Sequence, residues 1–403
     1  MQEKAKEPEI RFAGFTGAWE QRKAKDVLAA YSDKGHPGLD VLSATQDRGM
    51  VRRDDNNINI SHDKKNEATY KRVLPGQFVI HLRSFQGGFA YSSIEGITSP
   101  AYTVFGFSKP QEHEPNFWKF VFSSEQFIKR LEKVTYGIRD GRSISYDEVL
   151  TLSFTFPGKE EQIQIAHFLD KVGALITLHQ RKYEKLLNIK KSMLEKMFPK
   201  EGEVVPEIRF KGFTGAWEQR KLGDIADITG GGTPSTSNND YWDGNINWYS
   251  PAEISNQIFL NSSQRKITEL GFSSCSAKML PKGTVLFTSR AGIGKTAILS
   301  AEGCTNQGFQ SIVPHANDLD SYFIFSRTNE LKKYGEIVGA GSTFVEVSGK
   351  QMAAMTLMMP PKFNEQKTIG DFFKRLDSLL TLHQRKLEML KNVKQAFLEK
   401  MFV

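Results

Sequence analysis

The stretch Ser289-Arg-Ala-Gly-Ile-Gly294-Lys295-Thr296 ends in the Gly-Lys-Thr of a phosphate-binding loop. A nucleotide-binding loop of that kind needs glycine five positions before Gly294, and Ser289 stands there. Two simpler chemistries remain open: a glycine-bearing basic loop that touches DNA phosphate, and a plain hairpin turn. Other signatures of catalysis also fail. Met358-Met359-Pro360-Pro361-Lys362-Phe363 has two adjacent prolines but lacks the acid or amide and the aromatic that would flank them in an adenine-methyltransferase motif. Gly230-Gly231-Gly232 runs into Thr233-Pro234 and cannot open a dinucleotide-binding helix. No paired carboxylates, nucleophile–base set or metal-ligand spacing is evident, so the chain reads as catalytically empty.

Arginine, amide and hydroxyl side chains are abundant, and they suit nucleic acid. Arginine offers two bonds to guanine, asparagine or glutamine offers two to adenine, and small hydroxyls reach phosphates. In the first half the candidates for DNA contact are Arg52, Arg53, Arg83, Ser84, Arg139, Arg142 and Ser143, the last three within Tyr-Gly-Ile-Arg-Asp-Gly-Arg-Ser-Ile-Ser. In the second half they are Thr233, Ser235, Asn238, Trp242, Trp248, Arg290, Lys295, Asn306, Gln307 and Ser342. For each of these an ordinary solvated surface position is the competing reading, and for the two tryptophans it is core packing. The balance of 54 Lys and Arg against 46 Asp and Glu, a formal charge of +8, favours a polyanionic partner.

These residues lie between two repeats. Pro8-Glu-Ile-Arg-Phe-Ala-Gly-Phe-Thr-Gly-Ala-Trp-Glu-Gln-Arg-Lys23 recurs as residues 206–221 with one change, Ala13 to Lys211. Residues 161–198 recur as 365–402, 204 positions on, with Thr-Leu-His-Gln-Arg-Lys and Leu-Glu-Lys-Met-Phe identical in both. The second repeat is helical by pattern. Ile165, Phe168, Leu169, Val172, Leu175, Ile176, Tyr183, Leu186, Leu187, Met193, Leu194 and Met197 fall three and four apart, and the later copy repeats the stripe. Such a helix spans roughly 57 Å and cannot bury its stripe alone, so the two copies are expected to pack on each other as a coiled coil. His179 and His383 sit at matching places on the stripes, where polar breaks that set register are expected rather than metal ligands.

The segments between the repeats share a faint frame. Leu74-Pro75-Gly76 precedes a β-rich run ending at Arg83; Leu280-Pro281-Lys282-Gly283 precedes one ending at Arg290; Glu95-Gly96 and Glu302-Gly303 follow at equal distance. One mixed α/β scaffold with variable loops is expected twice. Two cysteines, Cys275 and Cys304, exclude a disulfide framework and fit a reducing compartment. The polar N-terminus lacks a signal-peptide core and no apolar run is long enough to cross a bilayer, so a cytoplasmic protein without membrane association is expected.

Taken together, the two repeats and the variable middles resemble the specificity subunit of type I restriction–modification systems over nearly the whole chain. Gly231-Gly-Thr-Pro-Ser-Thr…Tyr241-Trp-Asp-Gly-Asn-Ile-Asn-Trp-Tyr-Ser and Asn306-Gln-Gly-Phe-Gln resemble one version of that family's recognition domain. The resemblance implies a mixed α/β (α+β) fold of two globular target-recognition domains joined by two long antiparallel coiled-coil helices, a pseudo-twofold repeat. It places one recognition domain within 1–157, a spacer helix and linker at 158–205, the other domain within 206–361 and a second spacer helix at 362–403. It further implies double-stranded DNA as partner, read as an asymmetric bipartite target. Two modification (methyltransferase) subunits that methylate adenine at N6, and restriction (translocase and nuclease) subunits, would dock on the conserved regions. S-adenosylmethionine, ATP and Mg2+ would belong to those partners, with no cofactor or metal on this chain. The alternative is a stand-alone DNA-binding adaptor or regulator without methyltransferase partners. Phe12, Phe15 and Trp19, with Phe210, Phe213 and Trp217, are expected to serve local packing at least as much as partner contact.

Overall fold

The computed structural model describes residues 7–45, 48–55, 64–80, 89–133, 145–255, 257–290, 292–340 and 346–402. The chain divides into two compact units, one of residues 1–179 with 386–403 and the other of residues 180–385. Two helices of 38 residues each, the central helix Lys159–Lys196 and the C-terminal helix Phe363–Lys400, contribute a part to both units. Their ends lie within two residues of where the hydrophobic period places them. In the first unit Phe168 meets Phe397 with ring centroids 4.6 Å apart, and Ile165, Ala166 and Leu169 join Met401 in one core. In the second unit Phe198 stacks on Phe373 and Lys190 pairs with Asp377. Rising numbers on one helix meet falling numbers on the other, so the pairing within each unit is antiparallel. The stripe is wider than the seam: Leu175, Leu187 and Leu379 remain exposed, because a two-helix contact covers only the narrow face that points at the partner.

The shorter repeat seals each head onto the helices. Arg11 grips Glu161 through two nitrogens, both at 2.8 Å, and donates to the carbonyls of Thr16 and Gly17. Arg209 does the same to Glu365, at 2.7 and 2.8 Å, and to Thr214 and Gly215. Ile10 N–H donates to the Lys400 carbonyl and Ile208 N–H to that of Lys196, so each repeat bridges the start of one helix and the end of the other. Phe12 packs edge-on against Phe168, Phe210 against Phe372, and Trp19 and Trp217 are buried. The charged strand Glu20–Lys23 exists because it pairs antiparallel with Ser153–Phe156, whose Phe154 and Phe156 are buried; Glu218–Lys221 pairs likewise with Thr356–Met359, which buries Leu357 and Met359.

Each head is a small mixed sheet assembly. In the first unit a four-stranded sheet has the order Leu28–Tyr31, Thr103–Phe107, Phe78–Ile80, Ala90–Tyr91, beside the hairpin Leu42–Thr45/Gly49–Arg52. In the second unit a five-stranded sheet has the order Ala226–Gly230, Gln310–Pro314, Val285–Phe287, Thr296–Leu299, Phe259–Leu260, beside a three-stranded sheet centred on Trp242–Tyr249. The shared frame is real at the Leu-Pro turns: Gly76 (φ 88°) and Gly283 (φ 92°) adopt the same left-handed conformation, where a Cβ would strain the backbone. Gly76 N–H donates to Ser92 and Gly283 N–H to Leu299. The matched helix caps continue it, since Gln162 accepts from Glu114 N–H and Gln366 from Asp320 N–H.

One position departs from this correspondence in a way that matters for pH. His113, before Glu114, is buried against Phe107, Trp118 and Phe156, with its Nδ1 unpartnered; Leu319, before Asp320, is its counterpart. Burial pushes the imidazole down to about 4, whereas an unfolded histidine titrates near ~6.5. The unfolded chain therefore takes the proton first, and the stability tied to neutral His113 is full above pH ~6.5 and drains away as pH falls towards 4. Replacing His113 by leucine should raise the thermal midpoint and flatten its decline between those two pH values; equal declines in wild type and H113L would refute the assignment.

Candidate nucleic-acid interface

In the second head, strands Ala226–Gly230 and Val285–Phe287 and the segment Cys304–Thr305 each run into a loop, and these three loops are knitted together. Gly232 N–H donates to the Thr305 carbonyl at 2.9 Å, and the Gly232 carbonyl accepts the Trp248 indole N–H at 2.9 Å. A Cβ on Gly231 would collide with the Asn306 carbonyl oxygen, so only glycine permits this approach. Thr233 Oγ1 donates to Gln307 Oε1 at 2.5 Å, and Asn306 Oδ1 accepts from Gly308 N–H at 2.8 Å. Ser289 N–H donates to the Gly308 carbonyl, and Val347 N–H to that of Ser289, which ties in Arg290.

Thr233, Asn306, Gln307 and Arg290 are thus brought onto one connected rim. Gln307 and Arg290 are exposed; Arg290 forms an ion pair with Glu346 at 2.9 Å. Lys295 is exposed on the same hairpin as Arg290, beside Lys332. The loop that carries Lys295 is a hairpin turn between Val285–Phe287 and Thr296–Leu299, closed by Thr288, whose hydroxyl donates to the Gly292 carbonyl and accepts from Lys295 N–H. Ser235 is exposed, bonds Ser237 across 2.8 Å, and its carbonyl accepts the Trp242 indole N–H. Asn238 caps a short turn by accepting from Asp240 N–H.

Trp248 does not belong on this rim. It is 6% exposed, set edge-to-face against Trp242, and holds the Gly232 loop from below; direct stacking on a base is corrected to a positioning role. Sequence reasoning also missed Arg265, exposed, with its guanidinium 3.6 Å from the centre of the Trp242 ring. It lies in the strand Arg265–Ile267, with no glycine or turn nearby to single it out.

In the first head, Arg52 ends the hairpin, is exposed, and pairs with Asp40 at 2.7 Å. Arg53 is half-buried, its backbone N–H donating to Val41. Arg83, Ser84, Arg139, Arg142, Ser143 and, in the second head, Ser342 lie outside the described residues. Among the described residues no group of three metal-ligating side chains occurs, and no helix is long and apolar enough to cross a membrane.

A duplicated anchor beneath two dissimilar heads can now be set beside known proteins. Residues 215–392 match the family model described as the type I restriction modification DNA specificity domain. Over those residues the chain is similar to type I specificity subunits. The MjaIX specificity subunit of Methanocaldococcus jannaschii is 33% identical over 46% of this chain and 44% of its own length. A putative MjaX specificity subunit of the same organism is 23% identical over 94% of this chain and 91% of its own length, and the EcoR124I/EcoR124II specificity subunit of Escherichia coli is 27% identical over 54% and 52%. Several of these alignments therefore span only about half of the relative. The crystal structure of a type I S subunit from M. genitalium covers 98% of this chain and 99% of its own, with a TM-score of 0.56 at 14% identity, which shows the same fold. Within the rim described above, Trp248 is the keystone. W248F keeps an apolar ring but leaves the Gly232 carbonyl without its buried donor, and should cost about 1–2 kcal/mol in urea unfolding. No loss would mean that the indole bond does not hold the loop.

Proposed function

We propose that this chain reads DNA for a restriction–modification complex and leaves the chemistry to other subunits. The observation that carries this reading is the repeated anchor, Arg11 on Glu161 and Arg209 on Glu365, beneath heads whose sequences differ. Equivalent anchors present the same local surface twice, and duplex DNA has an approximate twofold of its own. Unequal rims would then read unequal half-sites, so the full target is bipartite and asymmetric. In the second head Arg290, Gln307 and Asn306 supply donor and acceptor pairs of the kind that distinguish bases, with Thr233, Ser235 and Lys295 towards phosphate. In the first head Arg52 and Arg53 are the described candidates.

Two modification subunits that bind S-adenosylmethionine and methylate adenine N6 would dock in equivalent positions, with restriction subunits using ATP and Mg2+ joining them. This chain would bind none of those cofactors and would work in the cytoplasm. The helix pair would act as a ruler that sets the unread spacer. Methylation-aware sequencing of DNA from cells carrying the gene is expected to show a bipartite N6-methyladenine motif that vanishes on deletion. A motif unchanged by deletion would sink the proposal. A stand-alone adaptor would instead bind DNA in a salt-sensitive way yet never co-purify with a methyltransferase.

The ruler makes its own forecast. Inserting four residues near Asn188, about one turn, should lengthen the spacer and keep both half-sites. A single inserted residue rotates the downstream end of the helix by roughly 100° and should abolish binding. Indistinguishable methylation patterns from the two insertions would rule a rigid ruler out.

A further inference from the structure

The two units differ at one buried ion cluster where their helices repeat. In the second unit Asp377, 5% exposed, accepts from Lys190 Nζ at 2.5 Å and from the Tyr322 hydroxyl at 2.8 Å. The 204-residue repeat puts Gly173 at the place of Asp377 and Lys394 at that of Lys190. The matched caps Glu114 and Asp320 put Asn116 at the place of Tyr322. So the first unit keeps the lysine and lacks both the carboxylate and the hydroxyl.

Lys394 still aims at the missing group. A Cβ built on Gly173 would lie 3.9 Å from Lys394 Nζ, in otherwise open space. Among the described residues no carboxylate pairs with this half-buried ammonium, which lies 5.9 Å from the Phe120 ring. Asn116 turns away, donating to Glu114 at 3.1 Å. What remains is a groove of about 540 Å³ within the first unit, lined by Lys394, Gly173, Asn116, Ser123, Phe120 and Leu169 among others. Its one described carboxylate, Asp170, is taken by Lys119 at 2.7 Å, and Arg48 at the lining is itself engaged. Lys394 is the lining ammonium without a carboxylate partner among the described residues, and half-buried Tyr91 and Leu398 offer apolar surface in the same groove, which suits a monoanion with an apolar body.

We infer that this groove in the first unit binds a small organic carboxylate, seated where the second unit places the side chain of Asp377. The carboxylate would accept from Lys394 Nζ, and its apolar body would lie along Tyr91 and Leu398. The groove borders the hairpin Leu42–Thr45/Gly49–Arg52 that carries Arg52, but neither Lys394 nor Gly173 is a candidate for DNA contact.

Benzoate is a suitable probe, in thermal melts of the full chain against sodium chloride and sodium phosphate at equal ionic strength. Wild type should gain about 2 °C at saturating benzoate beyond the salt controls, because a ligand that binds only the folded form stabilises it. G173D supplies the carboxylate internally, so it should melt higher in chloride and lose the benzoate response. K394M should lose the response with no such gain, and D377G should acquire a second, equivalent one. The inference is overturned if wild type responds no more to benzoate than to chloride, if G173D and K394M both keep the full response, or if phosphate stabilises as well as benzoate does.

Discussion

Two buried guanidinium–carboxylate pairs hold this molecule's plan together. Glu161 and Glu365 stand in the first turns of the long helices, almost wholly out of water, and each depends on one arginine for its charge to be tolerable there. A buried carboxylate deprived of its partner is costly, on the order of several kcal/mol, so neither member can drift without the other. Each arginine also ties down the carbonyls of its own Thr-Gly turn, which fixes the path of the chain into the buried tryptophan and the charged strand. Head and helix are thereby fastened through the same few atoms twice over.

That fastening leaves the rim loops of the second head to other contacts. The loops that carry Thr233, Arg290 and Gln307 are secured by backbone hydrogen bonds and by Trp248, not by the anchor. A scaffold can then stay constant while the side chains on its rim change.

Much of the plan was legible in the sequence because the signals were long and repeated. Thirty-eight-residue helices announce themselves by period, and the Leu-Pro turns by a glycine whose conformation no other residue takes without strain. Less legible was which way a residue faces. Trp248 has the composition of a stacking residue, yet its indole N–H is spent on a carbonyl within the core. Leu175 and Leu187 keep the helical period and still face outwards, since period alone does not say how wide the seam is. Arg265 offered no punctuation to notice, and His113 reads as a polar surface residue until the aromatic box around it is seen. In the first head several candidate residues lie outside the described residues, so its rim is known only at Arg52 and Arg53.

The two long helices pass through the largest hydrophobic core of each unit, with Leu169 and Phe397 in one and Met193 and Phe373 in the other. Melting either core would strip half the support from each helix, and helices of this kind do not persist without packing. Denaturation is therefore shared: the chain should lose its structure in one concerted collapse, and a damaged copy would present to cellular proteases as wholly unfolded instead of half intact.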